Sequence, residues 1–228
     1  MAKFAKNILT MRKIVIILSF FTLIASSCGQ TAKNKEPILN VADEGVIING
    51  VKWATRNVDS PHTFAESPED VGMFYQWNKK IGWSAANPIV NSNNKTEWKD
   101  AISTDKIWIA RNDPSPDGWR VPTMEEIYSL LDTEKVTNEW TVQNGVNGRR
   151  FTDIVTGNFI FLPAAGGRLG DDGCLYNVSL SGNYWSNKKL NSDHGHFAYS
   201  LLFFRDRGAK WEEFHICGMG FSIRCVAK

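Results

Sequence analysis

The sequence predicts an α+β domain in which antiparallel strands dominate and one or two helices pack against the sheet. Short extended runs recur along the chain, separated by clusters of glycine, asparagine and aspartate. One helix start is well marked, and no repeat of solenoid or propeller length is present. About 200 residues follow the N-terminal segment, which is enough for one domain with its own core.

The extended runs are predicted as strands at 51–55, 73–77, 106–110, 158–163, 183–187, 197–204 and 221–226. The run at 158–163 is apolar and ends in a proline, which is typical of a buried strand. In the last run Phe221, Ile223 and Cys225 alternate with polar residues, so Cys225 is predicted to point into the core. Long loops are predicted at 78–97 and 166–182, and loops of this length often face ligands.

The well-marked helix begins after Thr123. Thr123 is a predicted N-cap, and Glu126 three residues later completes a capping box. A core-facing stripe at helical spacing follows and ends near Asp132; it consists of Met124, Ile127, Leu130 and Leu131. A second, weaker helix is predicted at 98–104.

The first 27 residues predict an export signal. Their basic residues precede an apolar run, 14–25, and no acidic residue occurs before Cys28. At about 1.5 Å per residue this run would span roughly 18 Å, short of the ~30 Å needed to cross a bilayer. A complete signal also starts at Met11, so Met1 and Met11 are both possible starts.

Small residues, Ala25-Ser26-Ser27, lead into Cys28 and resemble a lipoprotein processing site. They predict an acylated (palmitate-bearing) Cys28 and a lipid anchor in the cell envelope, on either face of the outer membrane. The alternative is cleavage by an ordinary signal peptidase, with Cys28 left as a free thiol. The predicted organisation is a signal at 1–27, a lipidated tether at 28–44 and a domain at 45–228.

The net charge changes once the signal is set aside. The chain has 26 basic and 24 acidic residues, and residues 1–28 hold four of the basic ones. That leaves 22 against 24, a net charge of −2, so no basic field remains to indicate a nucleic-acid partner.

Several motifs occur in the same order as in a known bacterial family. The chain resembles the Fibrobacter succinogenes major paralogous domain (FISUMP) family at 53–58, 118–123, 144–148, 160–166, 175–178, 184–186 and 220–226. The resemblance implies a fold similar to C-type-lectin-like domains and formylglycine-generating enzymes. It also implies a lipid-anchored or secreted bacterial protein, but assigns no chemistry.

An oxidase of the formylglycine-generating kind would need a reactive cysteine pair. Cys217 and Cys225 flank a predicted turn at 218–220, and in such a hairpin they lie roughly 13 Å apart, beyond disulfide reach. If one disulfide forms, Cys174 with Cys217 is the predicted pair. His194 and His196 alternate, but no third metal ligand follows at motif spacing. No catalytic residue, metal or cofactor is therefore predicted.

A non-enzymatic binding module is the predicted function, with a glycan or an envelope protein as ligand and the bilayer as partner through Cys28. The candidate ligand-binding residues combine aromatic rings with amides: Tyr176, Asn177, Asn183, Tyr184, Trp185 and Asn187. The alternative for these residues is that Trp185 is in the core and the asparagines serve turns. A calcium lectin is disfavoured because the family's acid-proline-amide tripeptides are absent. The alternative function is a structural or accessory subunit of a surface assembly.

Overall fold

The computed structural model of the chain describes residues 42–100, 102–190 and 196–228, without the side chains of 212–214. The predicted signal, the acylated Cys28 and all but the end of the tether lie outside the described residues. Asp43 is already buried and accepts hydrogen bonds from the Thr55 backbone and hydroxyl, so the described fold includes residue 43. In these ranges no helix is long and apolar enough to cross a membrane.

The described part of the chain is β-rich, and the α+β prediction was wrong. Strands make up 41% of it and helices 6%, with one α-helix, α1 (Met124–Leu131), and a 3-10 helix at Ala110–Asn112. The strands are β1 (Val46–Ile48), β2 (Val51–Trp53), β3 (Met73–Gln76), β4 (Gly82–Ser84), β5 (Trp119–Arg120), β6 (Val136–Gln143), β7 (Val146–Asp153), β8 (Phe159–Pro163), β9 (Gly167–Arg168), β10 (Leu175–Tyr176), β11 (Ser181–Lys189), β12 (Phe197–Phe204), β13 (Gly208–Ile216), β14 (Gly220–Phe221) and β15 (Val226–Ala227).

The second predicted helix does not form in the described residues of 98–104. Trp98 instead packs on Trp83, with ring centroids 4.9 Å apart, and its indole nitrogen donates to the Gly170 carbonyl. The Lys99 carbonyl accepts a hydrogen bond from the Gln76 side chain, 2.9 Å away. These long-range partners hold the segment in an irregular conformation, and they outweigh a weak local helix propensity.

The first predicted helix is confirmed with its cap. The Thr123 hydroxyl accepts from the Glu126 amide at 3.2 Å, and the Glu126 carboxylate accepts from the Thr123 amide at 2.7 Å. Arg120 donates two hydrogen bonds to the same carboxylate. Ile127 and Leu130 are buried against the core, as the stripe predicted.

The strands form four antiparallel groups, with orders β1-β2-β15-β5, β10-β9-β14-β3-β4, β11-β12-β13 and β6-β7-β8. The β6–β7 hairpin turns at Asn144 and Gly145, which both have positive φ, as a tight hairpin turn requires. The described core comprises two clusters of buried residues, one containing Trp77 and Trp185 and the other Trp53 and Phe203. Most tryptophans therefore serve packing.

The C-terminal segment is not the single strand that the sequence predicted. β14 pairs with β3 and β9, whereas β15 pairs with β2 and β5, so the segment passes from one sheet to another. Arg224 lies between them, fully buried, and donates to the Asn57 side chain and the Phe161 carbonyl. The hairpin drawn through Cys217 and Cys225 was wrong, because β13 pairs with β12 along its length.

Candidate functional site

Three of the six predicted ligand-binding residues are in the core. Asn183, Tyr184 and Trp185 lie on β11 and are at most 2% exposed. The Tyr184 hydroxyl donates to the Pro163 carbonyl at 2.8 Å, and the Trp185 indole donates to the Tyr75 carbonyl at 2.7 Å. Their polar atoms therefore serve internal hydrogen bonds.

Of the other three, Tyr176 and Asn177 are neighbours in the chain, and Asn187 lies on β11. Tyr176 is partly buried, and burial raises the pKa of its hydroxyl. Asn177 is exposed at a positive-φ turn position. Asn187 is half-buried between two small clefts of about 330 and 360 Å³. The structure does not bring the six residues together on one surface.

The three cysteines of the described chain are free thiols, so the predicted Cys174–Cys217 bridge is not present. Cys217 is buried directly after β13: its amide donates to the His196 carbonyl, and its carbonyl accepts from the Trp77 amide. Cys174 is exposed on the loop after β9. A buried thiol fixed at both backbone atoms cannot reach an exposed loop thiol without a backbone shift.

None of these thiols is activated. Burial raises the pKa of Cys217 to about 11 and that of Cys225 to about 12. A hydrogen bond to Asp172 and its charge raise the pKa of Cys174. Because the thiolate is the reactive form, the arrangement offers no nucleophilic or copper-binding cysteine pair at neutral pH.

One serine and histidine pair lies close together. The Ser200 hydroxyl is 2.7 Å from His215 Nδ1, but Ser200 is only 1% exposed. This hydroxyl is shielded from solvent and links β12 to β13. Within 42–100, 102–190 and 196–228 no group of three acidic, histidine or cysteine side chains could hold a metal ion.

A cleft of about 770 Å³ opens beside β3 and β4. Most of its wall comes from the long loop predicted at 78–97. We call it the lysine cleft, and it is lined by Gln76, Lys79, Lys80, Ile81, Trp83, Asn91, Lys95, Thr96, Glu97, Lys99 and Asn112.

The amides in the wall of the lysine cleft are used to shape it. Gln76 is buried, and its side-chain nitrogen donates to the carbonyls of Lys99 and Gly218 at 2.9 and 2.8 Å. The Asn91 side-chain oxygen accepts from the amide of Lys95 at 2.9 Å and so closes the loop turn. Asn112 donates to the Asn78 carbonyl at 2.9 Å.

Arg168 fixes the loop behind the cleft. It is completely buried and donates to the carbonyls of Ser84 at 2.9 Å, Ala86 at 2.8 Å and Gly173 at 2.6 Å. All three acceptors are neutral, and burial lowers the pKa of the guanidinium. This one side chain therefore joins the loop after β4 to the loop after β9.

The charges of the lysine cleft are unbalanced. Glu97 forms an ion pair with Lys99 at 3.2 Å, with both side chains largely exposed. Among the described residues, no carboxylate lies within 4.0 Å of the ammonium groups of Lys79, Lys80 or Lys95. Four lysines against one glutamate give the lining a charge of +3, which suits an anionic ligand.

Comparison of the chain with protein-family models, with curated proteins and with solved structures found no match. The FISUMP resemblance thus remains a prediction from motifs. Sequence reasoning did not single out the cleft lysines, although Lys79-Lys80 and Lys95 stand in a loop predicted to face ligands.

Proposed function

We propose that this protein is a non-enzymatic, lipid-anchored module of the cell envelope that binds an acidic saccharide in the lysine cleft. The observation that carries the proposal is the group of three lysine ammoniums, Lys79, Lys80 and Lys95, without carboxylate partners around one cleft. The chain after residue 28 has a net charge of −2, so this positive cluster is local and opposite in sign to the rest.

The shape and lining of the cleft support a saccharide bearing carboxylate, sulfate or phosphate groups. Its volume of about 770 Å³ falls in the range of small-molecule sites. Ile81 is exposed and Trp83 also lines the cleft, so the lining includes apolar surface that can contact the CH face of a sugar ring. A lysine stem can cover apolar surface while its ammonium group stays in water, where a charged substituent can reach it.

The signal pattern and the FISUMP resemblance support the anchor, which belongs to this proposal together with an outer-membrane location. Mass spectrometry of the membrane-extracted protein should show a diacylglyceryl group at Cys28. Cys28→Ala should release the protein into the soluble fraction. An unmodified mass at Cys28, or unchanged membrane partition of the variant, would contradict the anchor.

Calorimetric titration with acidic and neutral oligosaccharides of equal length tests the ligand. The acidic one should bind, more weakly as salt is raised, since exposed charge pairs are screened. Replacing Lys79, Lys80 and Lys95 with alanine should weaken binding by roughly threefold to 150-fold, because each exposed pair contributes about 0.2–1 kcal/mol and three are lost.

Lys52→Ala is the matched control, because Lys52 is an exposed lysine on β2 outside the cleft lining. Equal binding of the neutral oligosaccharide, or equal losses in the triple variant and the control, would refute the assignment. Tighter binding of a polyglutamate peptide than of the acidic oligosaccharide would replace the saccharide with an acidic protein ligand.

A further inference from the structure

β6 is an edge strand. All eight of its residues pair with β7, and β6 pairs with no other strand in the described part of the chain. β13 of the neighbouring sheet packs near β6 without hydrogen bonding to it. Only Val136 of the eight residues is buried, and the other seven are at least partly exposed. One long side of β6 is therefore without a strand partner.

The register shows which backbone groups point to the open side of β6. The Val136 amide donates to the Asp132 carbonyl, so it points away from β7. Because these groups alternate along a strand, the amides and carbonyls of Asn138, Trp140 and Val142 point the same way. Among the described residues, no protein group hydrogen-bonds to them. The edge thus presents a row of donors and acceptors to another strand.

β6 lacks most of the features by which edge strands avoid pairing. It contains no proline and no lysine, and its pairing with β7 has no bulge. Its eight residues exceed the usual strand length of about five or six. It is rich in residues that favour strands, among them Thr137, Thr141 and Val142, and Glu139 is its only charged side chain. Such an edge is a template for a further strand.

A second copy of β6 fits this edge in an antiparallel register. With Trp140 on the twofold axis, Trp140 pairs with its own copy, and Asn138 pairs with Val142 on either side. Each of these pairs exchanges two hydrogen bonds, about six in all. Glu139 then lies opposite Thr141, so no like charges meet across the axis.

The neighbouring registers fit less well. A shift in one direction sets the two copies of Glu139 directly opposite each other, which is unfavourable for like charges. A shift in the other direction brings Asn144 into the pairing, but Asn144 has a positive φ in the β6–β7 turn and is not in a strand conformation. The register with Trp140 on the axis is therefore preferred.

We propose that β6 pairs with β6 of a second copy of this chain in that register. The pairing joins two three-stranded sheets into one sheet of six strands. The interface is narrow, so the dimer should dissociate on dilution. The proposal depends neither on the lysine cleft nor on the lipid anchor.

Sedimentation equilibrium of the chain from residue 28 onward, with Cys28→Ser, measures the oligomeric state over a series of concentrations. We expect a reversible equilibrium between monomer and dimer. Val142→Pro removes an amide that β7 does not use, and proline is tolerated at such an edge position, so the monomer should still fold. Since each dimer loses two hydrogen bonds, its dissociation constant should rise by about tenfold or more.

Val142→Thr is the matched control, because threonine is also β-branched and keeps the amide; its dissociation constant should be unchanged. A second variant tests the register. Glu139→Cys with Thr141→Cys, in a Cys174→Ser background that removes the exposed thiol, should form a covalent dimer on oxidation, because these positions face each other across the axis.

A monomer at every concentration would overturn the proposal and leave the open edge to an extended segment of another protein. Equal dissociation constants for the two Val142 variants would also overturn it. Failure of the double-cysteine chain to form a covalent dimer would overturn the register. If Val142→Pro does not fold, as judged by circular dichroism, the double-cysteine chain still decides.

Discussion

Arg168→Met removes the side chain that fixes the loop behind the lysine cleft. The methionine fills a similar volume but donates no hydrogen bond, so the carbonyls of Ser84, Ala86 and Gly173 lose their partner. A buried unpaired carbonyl costs about 1–3 kcal/mol. Gly173 is buried, so its carbonyl bears this penalty, whereas Ser84 and Ala86 are partly exposed and water can replace their donor in part.

The loss is reduced because a buried guanidinium is itself unfavourable. Burial lowers the pKa of Arg168, so its removal recovers part of the desolvation penalty. The partial losses at Ser84 and Ala86 and this recovery oppose each other, so the expected net decrease in the free energy of unfolding is about 1–3 kcal/mol. Arg168→Lys keeps the charge but offers one donor group in place of a fork, so we expect an intermediate loss.

Urea unfolding followed by tryptophan fluorescence measures this difference. The midpoint should fall while the slope stays constant, because the surface exposed on unfolding is unchanged. The acidic oligosaccharide should also bind more weakly to Arg168→Met, since Arg168 holds Ser84 and Ala86, and this segment connects Trp83 to Asn91, which both line the cleft. A change in unfolding free energy below about 0.5 kcal/mol, the range of ordinary surface substitutions, would refute the reasoning.

Three further predictions follow from the described contacts. Thr123→Ala should lower the free energy of unfolding by about 1 kcal/mol through loss of the helix cap. Glu126→Ala should lower it as well, because Arg120 also pairs with that carboxylate. Urea midpoints equal to that of the unsubstituted protein would contradict this. Burial would raise the pKa of Asp43, but hydrogen bonds from Thr55 and Gly45 and the charge of Arg56 outweigh it and lower the pKa. The stability that Asp43 contributes is therefore fully present above the carboxyl's unfolded pKa of about 3.9 and is lost as pH falls below it. Asp43→Asn should therefore make the free energy of unfolding fall less steeply as pH decreases through the acid range. An unchanged dependence on pH would contradict this role of Asp43. Thiol counting on native protein should find Cys174 reactive and the two buried cysteines protected until unfolding, whereas a mapped disulfide would contradict the free thiols.

Local signals predicted local structure well in this chain. The capping box at Thr123 predicted the start of α1, and the apolar run at 197–204 predicted β12 with its observed bounds. Both depend on residues close in sequence. The helix at 98–104 failed because its outcome depends on distant partners, the ring of Trp83 and the carbonyl of Gly170, which no local pattern reports. The fold class was wrong because the described chain has fifteen strands and one α-helix of eight residues.

The ligand-binding residues were chosen for chemistry that the core also uses. Aromatic rings beside amides suit a sugar, but the same combination fills a strand that is covered on both faces. β11 is such a strand: Asn183 donates to the Gly166 carbonyl, and Trp185 packs on Phe221 with ring centroids 4.3 Å apart. Burial decides whether such residues bind a ligand or pack in the core. The nine residues of β11 do not alternate simply between polar and apolar, so their burial cannot be predicted from the sequence.

The lysine cleft was missed for a different reason, since its residues lie within one stretch of the chain. Net charge hides it, because the chain beyond residue 28 sums to −2 while the cleft lining sums to +3. Gln76 fixes the lining at Lys99, and Arg168 fixes Ser84 and Ala86 in the segment between Trp83 and Asn91. Both fixing residues are buried polar groups bonded to carbonyls, and a rigid loop keeps like charges together that a flexible one would separate. In the proposed function, the folded scaffold is what holds these lysines around one anionic ligand, so the Arg168 substitution should weaken both the fold and the ligand complex.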